Sequence, residues 1–476
     1  MSKEYETVMG LEIHVELKTK SKIFCGCTTE FGGEANTHCC PVCMGLPGAL
    51  PILNEEVINY GIQAGLATNC EITKIGRQDR KHYFYPDLPQ SYQVSQDDLP
   101  LCKNGHLDIE VKGANKTVGI TRIHIESDAG KLVHKNGLGT LVDYNRAGVP
   151  LIEIVTEPDL RSNEEVIAFL QKLRAIMQYI DVSDAKMNEG SFRCDVNLSI
   201  REKGQEEYGT RTEMKNLNSF QSISRAIEYE GQRQIDALGK GKELIQETRR
   251  FDQSSGKTFS MRSKEDAQDY RFLPDPDLMP IVIQDDKINI LKRDLPDLPD
   301  ERKNSYMKKY NLNSYDAEQL ISSIDIANYF EEAAKTSKDI ETLANIIISE
   351  VFRLVNVDEF EAPFPPKDLS ELVNLIEDGK INSNTSKRII DEMMKTSKSP
   401  KVIVKEENLE QINDEETLST IIDEALKTSE RAVKEYKAGK DKALQSIVGK
   451  VMGKTKGKAN PGTTIRILKE KIEADH

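Results

Sequence analysis

The densest group of reactive side chains is a set of cysteines near the start of the sequence. Cys25 and Cys27 form one short-spaced pair, and Cys40 and Cys43 form a second pair after twelve intervening residues. Two such pairs on separate turns can place four thiolates at the corners of a tetrahedron, which is the geometry that Zn²⁺ prefers. Because four protein ligands leave no open position for water, we expect a structural zinc ion rather than a catalytic one.

Two other interpretations of this cluster stay open at the level of sequence. His38 or Cys39, which lie beside the second pair, could replace one of the four ligands. The thiols could instead be free and surround a turn. The remaining cysteines, Cys70, Cys102 and Cys194, are scattered. One tight cluster in a long chain is more typical of a metal site than of a disulfide framework.

Acids and histidines alternate with apolar side chains in three further segments, residues 10–17, 120–126 and 193–201. This period of two predicts β-strands with one apolar and one polar face. The polar faces carry, in chain order, Glu12, His14 and Glu16, then Arg122, His124 and Glu126, then Arg193, Asp195, Asn197, Ser199 and Arg201. A fourth segment, 150–155, is apolar on both faces except for Glu153.

Glu153 is the most informative of these acids. A carboxylate in a buried apolar strand is costly unless it meets a metal ion or a cation. Carboxylates with an occasional imidazole suit Mg²⁺, and Mg²⁺ beside arginines suits a nucleoside triphosphate. For any single strand of this kind, the alternative is an antiparallel sheet with one solvated face.

Cations and aromatic rings interleave in residues 76–87, where Arg80, Lys81 and Tyr83 stand close together. Such a segment can contact phosphates through its cations and stack against a base through its rings. On this segment alone, a packed loop with solvated lysines is an equally good interpretation.

The elements that must position these residues fall into three parts. Residues 1–292 mix short strands with helices, residues 293–405 are acidic and largely helical, and residues 406–476 form a small basic helical tail. Ser162 begins a capping box and an apolar stripe that runs to Ile180, which predicts a helix. We therefore expect the fold class α+β, with a large mixed-sheet domain, an all-α domain and a small all-α tail.

Composition limits the classes of function. The chain has 476 residues, with 65 Lys and Arg against 79 Asp and Glu and a formal net charge of −14. It has no run of about 18 apolar residues and begins without the apolar region of a signal peptide. We therefore expect a cytoplasmic protein with no membrane contact. The negative charge argues against a surface covered with nucleic-acid-binding groups.

One local basic segment contrasts with this acidic background. Residues 437–471 contain ten Lys and Arg against two acids, a net charge of +8. Lys450, Lys454, Lys456 and Lys458 cluster there among glycines, which let a backbone approach phosphates closely. We expect this tail to bind a polyanion through its phosphates, and a solvated helix end is the alternative.

A series of segments along nearly the whole chain resembles one protein family. The segments are 6–17, the cysteine cluster with 45–51, 80–86, 143–146, 150–155, 190–195, 215–220 and the tail at 448–460. Together they are similar to the B subunit of the bacterial tRNA-dependent aspartyl/glutamyl amidotransferases, the three-subunit GatCAB enzymes. A series of segments in the same order is far more specific than any single motif.

The resemblance implies a cradle domain related to glutamine synthetase, which uses ATP and Mg²⁺ as a kinase. It would phosphorylate the side-chain carboxylate of glutamate on tRNA(Gln), of aspartate on tRNA(Asn), or of both. Ammonia released from glutamine by the A subunit would then displace the phosphate and give the amide. The implied partners are the A subunit, the C subunit and misacylated tRNA, which the basic tail would bind.

The resemblance also assigns roles to residues. The Mg²⁺ ligands, which are also the catalytic residues, map onto Glu12, His14, Glu126 and Glu153. Relatives often have two consecutive glutamates where this chain has Glu126-Ser127-Asp128, so Glu126 or Asp128 could be the ligand. We expect nucleotide contacts from Arg80, Lys81, Tyr83, Arg193, Asp195, Asn197 and Lys215. Some relatives lack the four cysteines, so the resemblance implies that zinc stabilises the fold as an accessory.

Two functions from other classes are alternatives. A non-catalytic, zinc-stabilised tRNA-binding adaptor would explain the cysteine cluster and the basic tail, but it leaves the acidic strand faces unexplained. A free-standing amidohydrolase with catalytic zinc would need an open position on the metal, which four ligands close. Nucleotide binding separates the adaptor from the kinase, because an adaptor would not bind ADP more tightly when Mg²⁺ is added.

Overall fold

The computed structural model describes residues 4–135, 137–263, 270–437, 440–455 and 457–474. The chain divides into two compact units, Met1–Pro299 and Asp300–His476. Among the described residues, no helix has both the length and the apolar composition needed to cross a membrane.

Strands and helices are interspersed through the first unit. Its strands are β1 (Tyr5–Glu16), β2 (Glu71–Ile72), β3 (Ile75–Gly76), β4 (Asp79–His82), β5 (Tyr92–Ser95), β6 (Cys102–Val111), β7 (Ala114–Ser127), β8 (Lys131–Lys135), β9 (Gly139–Asp143), β10 (Pro150–Thr156), β11 (Phe192–Glu202), β12 (Thr212–Lys215), β13 (Glu247–Asp252), β14 (Lys257–Ser263), β15 (Arg271–Pro274) and β16 (Ile281–Val282). Its helices are α1 (Glu55–Ala67), α2 (Asn163–Tyr179), α3 (Phe220–Gly239) and α4 (Asp285–Arg293).

A nine-stranded mixed sheet forms the centre of the first unit, with the strand order β14-β13-β12-β11-β1-β10-β7-β6-β2. Strands β12 and β13 pair in parallel, and the other neighbours pair antiparallel. Smaller sheets have the orders β15-β4-β5, β16-β3 and β8-β9. Because β1 lies between β11 and β10, segments that are far apart in the sequence become direct neighbours.

The alternation predicted for β1 is confirmed. Leu11 and Ile13 are buried in the core, whereas Glu12 and His14 are half-buried on the opposite face. Helix α2 packs against β6 and helix α3 packs against β11, which covers the apolar face of the sheet. Ser162 caps α2 as predicted, because its hydroxyl accepts a hydrogen bond from the backbone amide of Glu165. The Glu165 carboxylate accepts from the backbone amide of Arg161, one residue before the position that a capping box uses.

The described residues of the second unit form helices joined by turns, with one isolated β-bridge between Ile412 and Ala459. Its helices are α5 (Pro299–Tyr310), α6 (Ser314–Leu320), α7 (Ile324–Ala334), α8 (Ile340–Ile346), α9 (Pro366–Glu377), α10 (Ser383–Thr396), α11 (Pro400–Glu406), α12 (Glu415–Lys427), α13 (Glu430–Lys437), α14 (Lys442–Lys454) and α15 (Pro461–Ala474), with a π-helical turn at Ile347–Val351 and a 3₁₀ turn at Val357–Glu359. One apolar core extends from Tyr306 to Leu409, and a separate core extends from Leu418 to Ile472.

The predicted fold class is confirmed. A large mixed sheet with helices precedes an all-α region within the part of the chain that the structure describes. The domain boundaries at 292/293 and 405/406 stay a prediction. The chain divides into its compact units at 299/300. The first helical core ends at Leu409 and the second begins at Leu418.

Candidate active site and metal centres

The central strands bring several predicted site residues to one face of the sheet. His14 of β1 lies opposite Glu153 of β10 on one side and opposite Arg193 of β11 on the other. Glu153 in turn lies opposite His124 of β7. Because side chains at paired positions share a face, these four residues project away from the apolar face that α2 and α3 cover.

His14, Glu126 and Glu153 form a first polar cluster, whose potential ligand atoms lie within 4.8 Å of one another. The Nε2 atom of His14 is 3.3 Å from a carboxylate oxygen of Glu153 and 3.8 Å from one of Glu126. Buried His124 places its Nε2 atom 3.2 Å from Glu126, and Lys81 Nζ is 3.7 Å from the same carboxylate. Two carboxylates and an imidazole that converge in this way can hold a divalent cation such as Mg²⁺.

Hydrogen bonds from imidazoles and the charge of Lys81 favour the ionised form of the carboxylates in the first polar cluster. Burial alone would raise the pKa of Glu126, but the hydrogen bond with His124 and the charge of Lys81 hold it below its usual range. Burial also opposes ionisation of Glu153, but the hydrogen bond from His14 lowers its pKa. Burial would lower the pKa of His14, and the hydrogen bond with Glu153 raises it instead. Charged carboxylates are the form that binds a metal ion.

Glu12, Asp195 and Glu213 form a second polar cluster on the same face, again with potential ligand atoms within 4.8 Å of one another. Asn197 donates a hydrogen bond to Glu12 at 2.8 Å. The ammonium group of Lys215 lies 2.6 Å from Asp195 and 2.9 Å from Glu213. Three acids at this distance repel one another, and the ammonium group of Lys215 offsets part of that repulsion.

The structure divides the predicted Mg²⁺ ligands between the two clusters. His14, Glu126 and Glu153 meet in the first cluster, whereas Glu12 joins the second. The cause is strand register, because Glu12 lies opposite Asp195 in the pairing of β1 with β11. The clusters still interact, since burial and the charge of Glu153 both raise the pKa of Glu12.

Asp128 lies outside both polar clusters. Its carboxylate is 3.0 Å from a guanidinium nitrogen of Arg193 and 3.3 Å from one of Arg146. Of the two acids that the sequence left open as a ligand, Glu126 is therefore the one that joins the first cluster. Burial and the nearby charge of Asp128 raise the pKa of Glu16 to about 7.

The predicted nucleotide-contact segment is divided as well. Lys81 reaches the first polar cluster, as described above. Arg80 instead pairs with Asp275 at 3.0 Å and lies 4.4 Å above the centre of the Tyr92 ring. Tyr83 packs edge-on against another tyrosine, with 5.8 Å between ring centres. Burial raises the pKa of Tyr83 to about 12, so its hydroxyl remains a proton donor at neutral pH.

The predicted cysteine cluster forms in the structure. The sulfur atoms of Cys25, Cys27, Cys40 and Cys43 lie within 4.8 Å of one another, and those of Cys40 and Cys43 are 3.9 Å apart. Tetrahedral zinc with Zn–S bonds of about 2.3 Å places sulfurs about 3.8 Å apart, so the donors fit. A hydrogen bond from the Cys25 thiol lowers the pKa of Cys43 to about 4, which favours its thiolate form. The four cysteines could hold a metal ion such as zinc.

The alternative ligands beside the second cysteine pair make other contacts. Cys39 Sγ lies 3.8 Å from the side-chain oxygen of Asn145. The backbone carbonyl of His38 accepts a hydrogen bond from Lys22, and neither residue joins the converging sulfurs. The structure therefore favours the set of four cysteines.

The predicted tRNA-binding lysines do not form a uniformly free surface. Lys450 donates to the carbonyl of the residue that follows α12, at 2.6 Å. Lys454 pairs with Glu424 on α12 at 2.7 Å. Lys458 is half-buried, and Lys456 lies outside the described residues. Their role in binding tRNA stays a prediction.

Two residues at the polar clusters, His124 and Glu213, were not among the predicted site residues. His124 lies between the two acids of the first cluster, and the alternation that indicated Glu126 also placed His124 on the same strand face. Glu213 lies on β12, which is four residues long. A strand of that length shows too few alternations to indicate which face is polar.

The sequence of the chain matches models of a known protein family and the sequences of several known proteins. Residues 7–289 match a family model described as the GatB/GatE catalytic domain, and residues 328–472 match one described as the GatB domain. A protein of Caldicellulosiruptor saccharolyticus is 55% identical over 477 residues, which cover 99% of each chain. Proteins of Carboxydothermus hydrogenoformans and Clostridium tetani are 50% and 49% identical, with at least 98% of each chain covered. All three are named as the B subunit of an aspartyl/glutamyl-tRNA(Asn/Gln) amidotransferase.

Proposed function

The chain belongs to the GatB family of amidotransferase subunits, and from that premise we propose that it amidates Glu-tRNA(Gln), Asp-tRNA(Asn) or both. In the proposed reaction, the side-chain carboxylate of the misacylated amino acid attacks the terminal phosphorus of ATP, and ADP leaves. Ammonia then attacks the activated carbonyl carbon, the bond from that carbon to the phosphate oxygen breaks, and amide and inorganic phosphate are formed. The protein is thus an ATP-dependent carbon–nitrogen ligase with glutamine as the amido donor.

The observation that carries this proposal is the presence of two polar clusters on one face of the central sheet. A carboxylate is a poor electrophile, and phosphorylation turns its oxygen into a leaving group. Phosphoryl transfer requires positioning and charge neutralisation more than covalent help from the protein. Carboxylates that can hold Mg²⁺ beside Lys81, Lys215 and Arg193 supply both requirements.

The proposal gives each cluster a role. The residues that would hold Mg²⁺ are the three of the first polar cluster together with Glu12 of the second, and the bound ion would neutralise charge on the phosphates. Lys81 and Lys215 each contact an acid of a cluster, so either can turn from a carboxylate to a phosphate oxygen without a long movement. The proposed nucleotide contacts are Arg80, Lys81, Tyr83, Arg193, Asp195, Asn197 and Lys215.

The remaining parts of the reaction come from partners. The relatives are each named as one subunit of an amidotransferase, which supports a complex of several subunits. We propose that an A subunit hydrolyses glutamine to supply ammonia, that a C subunit completes the complex, and that the basic tail binds tRNA. The proposed location is the cytoplasm, where aminoacyl-tRNA is made and used.

We also propose that the four cysteines hold a structural zinc ion. Their converging sulfurs match tetrahedral coordination, and four thiolates would leave no position for a reacting water molecule. Zinc would therefore stabilise the segment around residues 25–43 and would take no part in amidation.

Amidation with free ammonium tests the proposed function. A purified complex of the three subunits should convert Glu-tRNA(Gln) or Asp-tRNA(Asn) to the amidated form when given ATP, Mg²⁺ and ammonium chloride, with one ADP formed per amide. Ammonium bypasses glutamine hydrolysis, so the reaction reports on this chain's own site. No amide product under these conditions would contradict the proposal. ADP binding that does not tighten with Mg²⁺ would favour the tRNA-binding adaptor instead.

A further inference from the structure

Lys22 is completely buried, with 0% of its surface exposed, and its ammonium group lies against the cysteine cluster. Its Nζ atom donates to the carbonyl of His38 at 2.8 Å and to the carbonyl of Tyr144 at 3.2 Å, and it is 3.7 Å from the sulfur of Cys43. Lysines are almost never fully buried unless they are paired with an anion. The position of Lys22 therefore requires an explanation.

Charge balance supplies that explanation. Burying an ammonium group without an anionic partner is costly, and a carbonyl oxygen carries no net charge. Among the hydrogen-bond partners described for Lys22, the sulfur of Cys43 is the group that can be an anion. A Zn²⁺ ion with four thiolates would carry about two net negative charges, and Lys22 lies against Cys43, which is the buried member of the four cysteines. One buried ammonium group would halve that charge, so the cation and the loaded cluster stabilise each other.

The same ammonium group links the cysteine cluster to residues 142–146. The carbonyl of Tyr144 accepts a hydrogen bond from Lys22. The side chain of the neighbouring Asn145 donates, at 2.7 Å, to the backbone carbonyl of Glu34, which lies between the two cysteine pairs. Two residues beyond Tyr144, the guanidinium of Arg146 lies 3.3 Å from Asp128. The segment therefore runs from the cysteine cluster to an ion pair beside the face that carries the polar clusters.

We propose that Lys22 is a positioning residue, which retains zinc in the cysteine cluster by balancing its charge and which couples zinc occupancy to residues 142–146 through Tyr144. The inference rests on the structural zinc of the proposed function, but it concerns a side chain that is not a zinc ligand.

Lys22→Met tests the proposal, because methionine replaces the apolar stem of the lysine at similar length and lacks the ammonium group. In zinc-loaded full-length protein, we expect transfer of zinc to excess 4-(2-pyridylazo)resorcinol to be about tenfold faster than in wild type or more, the scale found for residues that support metal ligands. The loaded variant should also have a lower Tm than loaded wild type. The zinc-free variant should have the same Tm as zinc-free wild type or a higher one.

Hydrogen exchange measures the second half of the proposal. Backbone amides of residues 142–146 should exchange faster in zinc-loaded Lys22→Met than in loaded wild type, and should approach the rate of the zinc-free wild type. A role in packing alone would lower the Tm of the loaded and zinc-free proteins equally, and that result would overturn the proposal. Unchanged zinc transfer in the loaded variant would overturn it as well.

Two further variants and one prior measurement complete the test. Lys22→Gln removes the charge but keeps hydrogen-bond donors, so it should release zinc as Lys22→Met does. Lys116→Met removes a half-buried lysine that pairs with Glu165 elsewhere in the same unit, and it should release zinc at the wild-type rate. Zinc analysis of wild type comes first, because wild type without zinc contradicts the structural zinc itself. If wild type contains zinc and the Lys22 variants release it at the wild-type rate, only this inference is contradicted.

Discussion

At the scale of single residues, glutamates on one face of the sheet have pKa values that are shifted in opposite directions. Glu126 and Glu153 have lowered pKa values because hydrogen bonds to imidazoles outweigh burial. Glu12 and Glu16 have raised pKa values because burial is reinforced by a neighbouring acid. Glu126 is buried whereas Glu12 and Glu16 are half-buried, so burial alone does not decide the direction and the neighbouring groups do. The lowered pKa values favour the ionised form of Glu126 and Glu153, which is the form that binds a cation.

Replacing Glu153 with glutamine tests the first polar cluster. Glu153→Gln should reduce ATP-dependent amidation by about 100-fold or more, because an amide cannot supply an anionic ligand or neutralise charge in the transition state. Glutamine hydrolysis, which the proposal places on the A subunit, should keep its wild-type rate. The measurements are amidated tRNA and released glutamate in the same complex.

Glu164→Gln is the matched control for this substitution. Glu164 is an acid in the first turn of α2, where it pairs with Lys112 at the surface, so the variant should amidate at the wild-type rate. Wild-type amidation by Glu153→Gln would mean that the first polar cluster is not the site of phosphoryl transfer.

The raised pKa of Glu16 predicts a pH dependence of stability. Its pKa rises from 4.5 to about 7 on folding, so the folded state binds this proton more tightly than the unfolded state does. The stabilisation is fully present below about pH 4.5 and is lost as the pH rises through about 7. In metal-free protein, the Tm of wild type relative to Glu16→Gln should therefore fall by a few degrees between about pH 5 and pH 8.

Thermal unfolding of both proteins across this pH range gives the measurement. Glu228→Gln, which changes an exposed residue of α3, should keep a constant difference from wild type over the same range. A constant difference for Glu16→Gln as well would show that Glu16 is ionised in the folded protein.

At the scale of secondary-structure elements, the sequence predicts the strands and their faces but not their neighbours. The alternation in β1 and β11 indicated one polar face in each strand, and the structure confirms it. Glu12 and His14 share that face of β1, yet Glu12 meets Asp195 across β11 while His14 meets Glu153 across β10. Pairing and register depend on tertiary packing between distant segments. The family resemblance implied a single set of four Mg²⁺ ligands, and only the sheet order reveals that Glu12 joins a second cluster.

The cysteine cluster is the contrasting case, because its geometry is local. Its four members fall within nineteen residues, so short turns are enough to bring the sulfurs together without knowledge of the sheet. What the sequence could not indicate is the buried ammonium group of Lys22 beside them. A lysine at the end of a polar run such as residues 18–22 normally predicts an exposed side chain.

Replacing Cys40 tests the zinc proposal at this element. Cys40→Ser should lose zinc and lower the Tm, because a hydroxyl is a much weaker zinc ligand than a thiolate. Cys39→Ser is the matched control, since Cys39 is the adjacent cysteine whose sulfur faces Asn145, and it should keep its zinc. Metal analysis and thermal unfolding are the measurements, and folded Cys40→Ser should amidate at close to the wild-type rate. Equal zinc content in both variants would contradict the four-cysteine assignment.

At the scale of the whole chain, charge is segregated. Residues 437–471 carry a net +8 while the rest of the chain carries −22. Acids of α12 form ion pairs with part of this positive charge. Glu424 pairs with Lys454, and Asp423 lies 2.5 Å from Lys471. Exposed ion pairs of this kind are weak and are screened by salt. In the proposed function, tRNA phosphates can therefore displace the α12 carboxylates from these lysines.

Removing residues 414–476 tests the role of the tail. The deletion takes out the whole of the second helical core and leaves the core between Tyr306 and Leu409 intact. In the complex, it should raise the KM for tRNA strongly and flatten its salt dependence, because fewer phosphate contacts release fewer counterions. The KM for ATP should stay near the wild-type value, since both polar clusters lie in the first compact unit.

Neutralising the α12 acids within the full chain should change tRNA binding in the opposite direction to the deletion. Asp423→Asn combined with Glu424→Gln should free two lysines for phosphates, so tRNA should bind a few-fold more tightly at low salt and the salt dependence should steepen. Lys450→Gln combined with Lys454→Gln should weaken binding and flatten the same slope. Dissociation constants over a salt series measure both effects. A solvated tail that does not touch tRNA would give one affinity and one slope for all these proteins, because none of the altered charges would then lie near a phosphate.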